Sequence, residues 1–146
     1  RDLHDNRVRL IRAGARRLGL GCIRAQAGDA AAFDPSLGTF DRVLCDVPCS
    51  GFGVIRRKPE IKYKPPQAVA GLPEVQYKIL ETAANYLTAG GRLVYSTCTL
   101  LPEENERVVE RFLAGRREFR LEEQHTHTGQ EGGDGFFVAA LAKKGD

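Results

Sequence analysis

The sequence predicts an α/β domain built on an open, mostly parallel sheet, and three observations point there. Two short apolar runs, Val43-Leu44-Cys45 and Leu93-Val94-Tyr95, have strand length and each gives way to a polar break. Between them lies a helical period opened by Pro73 and closed by Gly90-Gly91, so strand, helix and strand make one right-handed crossover with parallel strands. Each strand also delivers a cysteine at its carboxyl end, Cys49 within Asp46-Val47-Pro48-Cys49-Ser50-Gly51 and Cys98 after Ser96-Thr97. Ligands of open α/β sheets bind beyond those ends. Cys49 and Cys98 are therefore expected to meet in one pocket, with the Asp46 carboxylate beside them.

At 146 residues and 42% apolar content, residues 1–146 read as a single domain with a normal core. The net charge of +3 hides an asymmetry: Arg and Lys crowd into residues 1–17 and 56–64, while acids dominate 103–123. Local basic patches of this kind suit a polyanion. Four cysteines with no short-loop disulfide framework point to a reducing, cytoplasmic setting, Cys22 and Cys45 being read as small apolar filler within strand-like runs. No stretch approaches a membrane span and no signal peptide is visible, so a soluble protein is expected. Oligomeric state leaves no mark. The first residue is Arg, Met is absent, and Asp2 leads almost at once into a helix, so the amino terminus reads as cut after a preceding strand.

From Asp5, the residues Val8, Ile11, Ala15 and Leu18 share one helical face and Gly19 is a good stop. Arg9, Arg12 and Arg16 fall opposite, as a solvated basic face. Cys22 to Ala25 reads as a brief strand, followed by Gly28-Asp29-Ala30. Asp29 there either holds a nucleotide group or caps the turn from Ala30 to Phe33. The strand Asp41 to Asp46 must stop where it does because Pro48 has no amide to donate to a ladder.

About two dozen residues then separate this strand from the next helix, far more than a strand-to-helix connection needs. The loop carries Arg56, Arg57, Lys58, Lys62 and Lys64, with Phe52 and Tyr63 among them. Cations for phosphates and rings for bases are the composition of a groove for single-stranded nucleic acid. A solvated, proline-broken loop fits equally well. The helix after it has Leu72, Val75, Ile79, Ala83 and Leu87 as its stripe, and the strand Arg92 to Thr97 follows. Pro102-Glu103-Glu104 suits the start of another helix, its acids at the positive dipole end and Val108, Val109, Phe112 and Leu113 inward. Phe119 to Gln124 and Gly135 to Lys143 read as an antiparallel pair, the second interior because Phe136 to Leu141 is apolar on both faces. His125 and His127 lack a third ligand at useful spacing, so no metal is expected.

Four blocks in order, Asp46-Val47-Pro48-Cys49-Ser50-Gly51, Arg57-Lys58-Pro59-Glu60, Ser96-Thr97-Cys98-Thr99 with Pro102-Glu103-Glu104-Asn105, and Asp134-Gly135-Phe136-Phe137, resemble the RNA cytosine-C5 methyltransferases, especially the bacterial Sun/Fmu rRNA enzymes. The resemblance runs through nearly the whole chain. It implies a Rossmann-like class I methyltransferase fold, S-adenosylmethionine as cofactor and RNA, ribosomal RNA in particular, as partner. It departs from the family's pattern at Val47, where Ala is commoner, and at Glu60, where Asp is commoner. The family's Gly-rich cofactor loop and the strand before it are absent, because the chain begins just at Asp2. The domain is thus read as N-terminally truncated, the isolated fragment as inactive and weak or silent toward the cofactor. The family's central strands would lie between the strand at Cys22 and the strand at Asp46, so a gap or a changed pairing is expected there.

The chemistry explains why two thiols and a carboxylate are wanted. Carbon 5 of cytosine is a poor nucleophile until a thiolate adds to carbon 6, after which it can take a methyl from a sulfonium donor. By resemblance, Cys98 is the nucleophile and Cys49 assists product release. In DNA cytosine methyltransferases the Pro-Cys thiol attacks instead, and spacing does not choose between them. The resemblance also places Asp2 at the ribose hydroxyls of the cofactor, Asp29 beside its adenine and Asp46 near its methionine part. Arg56, Arg57 and Lys58 are the candidate RNA contacts. The alternative is a non-catalytic RNA-binding fragment acting through residues 56–64.

Overall fold

The computed structural model describes residues 1–130 and 132–145. Its elements are α1 (Asp5–Arg17), β1 (Phe40–Asp46), α2 (Leu72–Asn85), β2 (Leu87–Thr97), α3 (Glu106–Gly115), β3 (Phe119–His127) and β4 (Phe136–Lys143). The four strands form one sheet in the order β1-β2-β4-β3. β1 and β2 are parallel, joined through α2 as the crossover pattern requires, and β4 lies antiparallel between β2 and β3. The α/β class, the interior position of β4 and the C-terminal hairpin are therefore as expected.

α2 and α3 cover one face of this sheet. Leu80, Leu93, Tyr95, Phe112, Phe137 and Leu141 are fully buried there, Tyr95 meeting Phe137 edge-on and Phe112 meeting Phe119 likewise. The opposite face is less covered, and the apolar run Val43-Leu44-Cys45 is not buried throughout. Only Cys45 of the three is buried, whereas Leu44 is 69% exposed. Among the described residues β1 pairs with β2 alone, so no changed pairing joins it to the segment before it.

Several boundaries also differ from expectation. Cys22 to Ala25 forms no strand. Its carbonyl at Ala25 is taken by the Arg12 guanidinium at 2.8 and 3.1 Å, Cys22 is exposed, and the nearest pairing is one isolated parallel bridge between Asp2 and Ala27. A strand-like run with no neighbour to exchange hydrogen bonds stays irregular. α1 ends at Arg17 with Gly19 just past its Leu18 cap at φ +66°, but Ile11 and Leu18 of its expected apolar face are exposed and only Val8 and Ala15 are buried.

α2 ends earlier than Gly90-Gly91. Tyr86 caps it, and both glycines lie inside β2, where the register with β1 shifts between Phe40 and Arg42. Its inward stripe is rotated: Gln76, Ile79, Leu80, Ala83 and Ala84 are buried and Val75 is exposed. α3 begins at Glu106, not at Pro102, because residues 101–105 close a turn through Glu104 N to Leu101 O and Asn105 N to Pro102 O. The long segment after β1 folds into three 3-10 turns at Phe52–Val54, Pro59–Tyr63 and Pro66–Ala68.

Phe112 joins α3 to the sheet with no exposure, so Phe112→Ala should lower the unfolding free energy by about 3–5 kcal/mol, read as a shifted midpoint in urea denaturation.

Candidate functional site

The parallel register brings Asp46 opposite Ser96, so β1 and β2 end level with each other. Val47 N adds one more bond, to Ser96 O at 3.2 Å, before Pro48 ends the ladder. The chain then turns on both strands, and the two expected sulfurs meet: Cys49 Sγ lies 3.1 Å from Cys98 Sγ. Cys98 N also donates to Cys49 Sγ at 3.2 Å. Both residues are partly exposed, so the pair sits at a surface, not in the core. Burial, reinforced by the neighbouring Cys98, pushes the Cys49 thiol up to about 12. Cys49 therefore holds its proton near neutral pH, and either sulfur can donate across the contact. Asp46 is exposed at the strand mouth and accepts a long 3.4 Å bond from Ser96 Oγ.

Glycine shapes the next turn. Gly51 takes φ +80°. Gly53 N donates to Cys98 O at 3.0 Å while Gly53 O accepts from Gly135 N at 2.6 Å. A Cβ on Gly53 would collide with the Gly135 carbonyl, so only glycine lets the three segments close at this point. The sequence blocks around residues 49, 98 and 135 are thereby one site.

A layer of buried polar side chains beneath the thiols has no counterpart in the sequence reading. Glu104 Oε2 accepts from Ser50 N at 2.9 Å and from Gln76 Nε2 at 2.8 Å. Gln76 Nε2 also donates to Pro48 O at 2.9 Å. Ser50 Oγ and Thr99 Oγ1 are 2.8 Å apart, Thr97 Oγ1 donates to Asn105 Oδ1 at 2.6 Å, and Asn105 Nδ2 donates to Thr99 O at 3.0 Å. Glu104 was readable as an acid near a helix start, but nothing local marks it as buried.

The candidate cofactor acids lie at the other end of the chain's first third. Asp2 and Asp29 flank the Asp2–Ala27 bridge, tied by Gly28 N to Asp2 O at 3.0 Å. Asp2 Oδ1 accepts from His4 N at 2.9 Å, and its Oδ2 faces Arg7 at 3.7 Å. Asp29 Oδ1 accepts from Ala31 N at 2.8 Å, which is the turn-capping arrangement. Each acid spends one oxygen on backbone, and two carboxylates on adjacent chain segments fit paired hydroxyl and amino groups of a nucleoside.

In the basic loop, Arg57 is ion-paired with Asp134, and Arg56 reaches Gly133 O at 3.5 Å. Lys64 Nζ donates to Ser50 O at 2.7 Å, whereas Lys58 is exposed without an ion pair among the described residues. Tyr63 is 76% exposed with Lys62 Nζ 4.8 Å from its ring centre, and Phe52 is half-buried. His125 and His127 lie exposed on β3, and among the described residues no group of three or more His, Cys, Asp or Glu is placed to hold a metal. Nor, among those residues, is any helix long and apolar enough to cross a membrane.

Comparison with known proteins shows the fold and the family. Among solved structures, the one described as NSun6 from Pyrococcus horikoshii with SFG superposes with a TM-score of 0.86 at 28% identity, covering 99% of this chain and 41% of that one. A methyltransferase homolog from the same organism gives 0.80 at 25%, with 97% and 52% covered. The fold is that of the Rossmann-like class I methyltransferases. The model of the family described as 16S rRNA methyltransferase RsmB/F matches residues 1–142, and the chain belongs to that family. The probable ribosomal RNA small subunit methyltransferase B of Bacillus subtilis is 41% identical over 99% of this chain, and its counterpart in Yersinia pseudotuberculosis is 38% identical over 98%. The chain spans 37% and 36% of the length of these two relatives.

Burial sets the expected order of thiol reactivity. Iodoacetamide should modify exposed Cys22 near neutral pH, whereas Cys45 and Cys49, both pushed up to about 12, should label only as pH rises toward that value, as followed by peptide mass mapping.

Proposed function

We propose that the protein carrying this chain transfers a methyl group from S-adenosylmethionine to carbon 5 of a cytosine in RNA, ribosomal RNA being the substrate class of its relatives, through a covalent adduct on Cys98. The observation that supports this reading is the 3.1 Å contact between Cys49 and Cys98 at the level ends of two parallel strands. Both are free thiols, as a nucleophile and an assisting donor must be.

In this reading the Cys98 thiolate adds to carbon 6 of the base, and the electron pair released onto carbon 5 forms the new carbon–carbon bond. The bound cofactor supplies the electrophilic methyl on a sulfonium. The carbon 5 proton then passes to a water at the solvent-open strand mouth, the electrons of that bond re-form the carbon 5–carbon 6 double bond, and Cys98 departs as thiolate. Cys49 keeps its proton and offers its S–H as a hydrogen bond to the departing thiolate, which eases release. Asp46, at the same strand mouth, steadies the base edge or the amino end of the cofactor, while Asp2 and Asp29 hold its ribose and adenine. Arg56, Arg57 and Lys58 contact RNA phosphates, with Tyr63 as a stacking platform. Arg57 must exchange Asp134 for a phosphate to do so.

The reading makes distinct predictions for the complete protein. Cys98→Ser should lower methyl transfer by at least ~10³-fold, measured with labelled methyl donor. Cys49→Ser should instead accumulate an RNA–protein adduct that survives denaturing electrophoresis. Turnover in Cys98→Ser equal to the parent would refute the assignment. Replacing Arg56, Arg57 and Lys58 by Ala should reduce the slope of log affinity against log salt for single-stranded RNA by about 2, at ~0.7 per lost phosphate contact. An unchanged slope would remove the loop from the interface.

A further inference from the structure

The turns that carry the sulfurs lie past the ends of the β1–β2 ladder, so another device must fix one against the other. On the Cys49 side, the residues before and after the cysteine are both tied to Glu104: Ser50 directly through its amide, Pro48 through the shared Gln76 amide. On the Cys98 side, Thr97 and Thr99 are both bonded to Asn105, the next residue. Tyr95 OH donates to Glu104 O at 2.6 Å, which locks the backbone between the two anchors. Glu104 is 2% exposed.

We propose that Glu104 is a positioning residue for the thiol pair, its Oε2 setting the direction in which Cys49 presents its S–H to Cys98. The catalytic meaning of this role rests on the reading of Cys49 and Cys98 as the reacting pair. Both donors converge on Oε2, and Oε1 has no hydrogen-bond partner. One acceptor oxygen is therefore what the turn requires. Gln offers one in the same place, whereas Ala and Leu leave the Ser50 amide and the Gln76 side chain buried without it.

The test uses dibromobimane, which fluoresces when it bridges two neighbouring thiols, on the 146-residue chain with exposed Cys22 replaced by Ser. At one raised pH shared by all variants, where the Cys49 thiol begins to ionise, the parent should bridge and its Cys49→Ser version should not. Glu104→Ala should slow bridging by about tenfold, while Glu104→Gln should stay within about twofold of the parent, with far-UV circular dichroism and melting curves establishing that each is folded. Glu104→Leu, which keeps the volume without an acceptor, replaces the Ala variant if that one does not fold. A folded Ala or Leu variant that bridges at the parent rate overturns the proposal, as does a Gln variant as slow as Ala. A fold defect alone would not be rescued by the amide and spared at the same time by the melting curve. The assay contains neither RNA nor methyl donor, so its failure is separate from that of the methyl-transfer reading. Retained turnover in Cys98→Ser would strip the pair of its catalytic role and leave the bridging result standing.

Discussion

The site depends on the register of two parallel strands. Asp46 stands opposite Ser96, and from these level ends the chain reaches Cys49 in three residues and Cys98 in two. One residue of slip would move a strand by about 3.3 Å, as far as the whole separation of the sulfurs. It would also send Leu93 and Tyr95, both fully buried, to the less covered face of the sheet. The apolar slab under α2 and α3 thus fixes a distance in a place it does not touch. Packing in the core and chemistry at the strand mouths are set by the same alignment.

Beneath the sulfurs the chain gives up apolar packing. Ser50, Gln76, Thr97, Thr99, Glu104 and Asn105 are all buried at the junction of the two turns and the helices. Buried polar groups of this number are costly unless partnered, and here nearly every one is bonded across the junction. The same low-dielectric surroundings that strengthen those bonds keep the Cys49 proton in place and, with the Glu104 charge as a second cause, hold the Tyr95 phenol neutral. A hydrocarbon filling would pack as well but would leave the turns free to point the thiols elsewhere.

What sequence reasoning reached was whatever has a local signature. Pro48 ends a ladder wherever it stands, so the strand mouth and its cysteine were readable, and the apolar run before Ser96 supplied the second. What it missed depends on partners remote in sequence. Glu104 looks like any acid near a helix start until Ser50 and Gln76 close over it. Gln76 sits on the inward face of α2 for the same reason, which rotates the stripe away from Val75. Cys22 to Ala25 has strand composition and no strand to pair with. Arg57 reads as a free cation although Asp134, far along the chain, already neutralises it.

The two connections that frame the thiols respond differently to length. Between Cys98 and Asn105 each residue is committed, since the bonds from Thr97, Thr99 and Tyr95 close a short ring that an inserted residue would break. The connection after β1 is pinned instead at Lys64, at buried Ile61 and at Gly53, leaving its crest from residue 65 to 70 largely in solvent. For a flexible loop, doubling the length costs only about 0.6 kcal/mol of closure entropy. Insertions at that crest would leave the chemistry untouched while reshaping what approaches it, so the fold offers one stretch where descendants can diversify and one where they cannot.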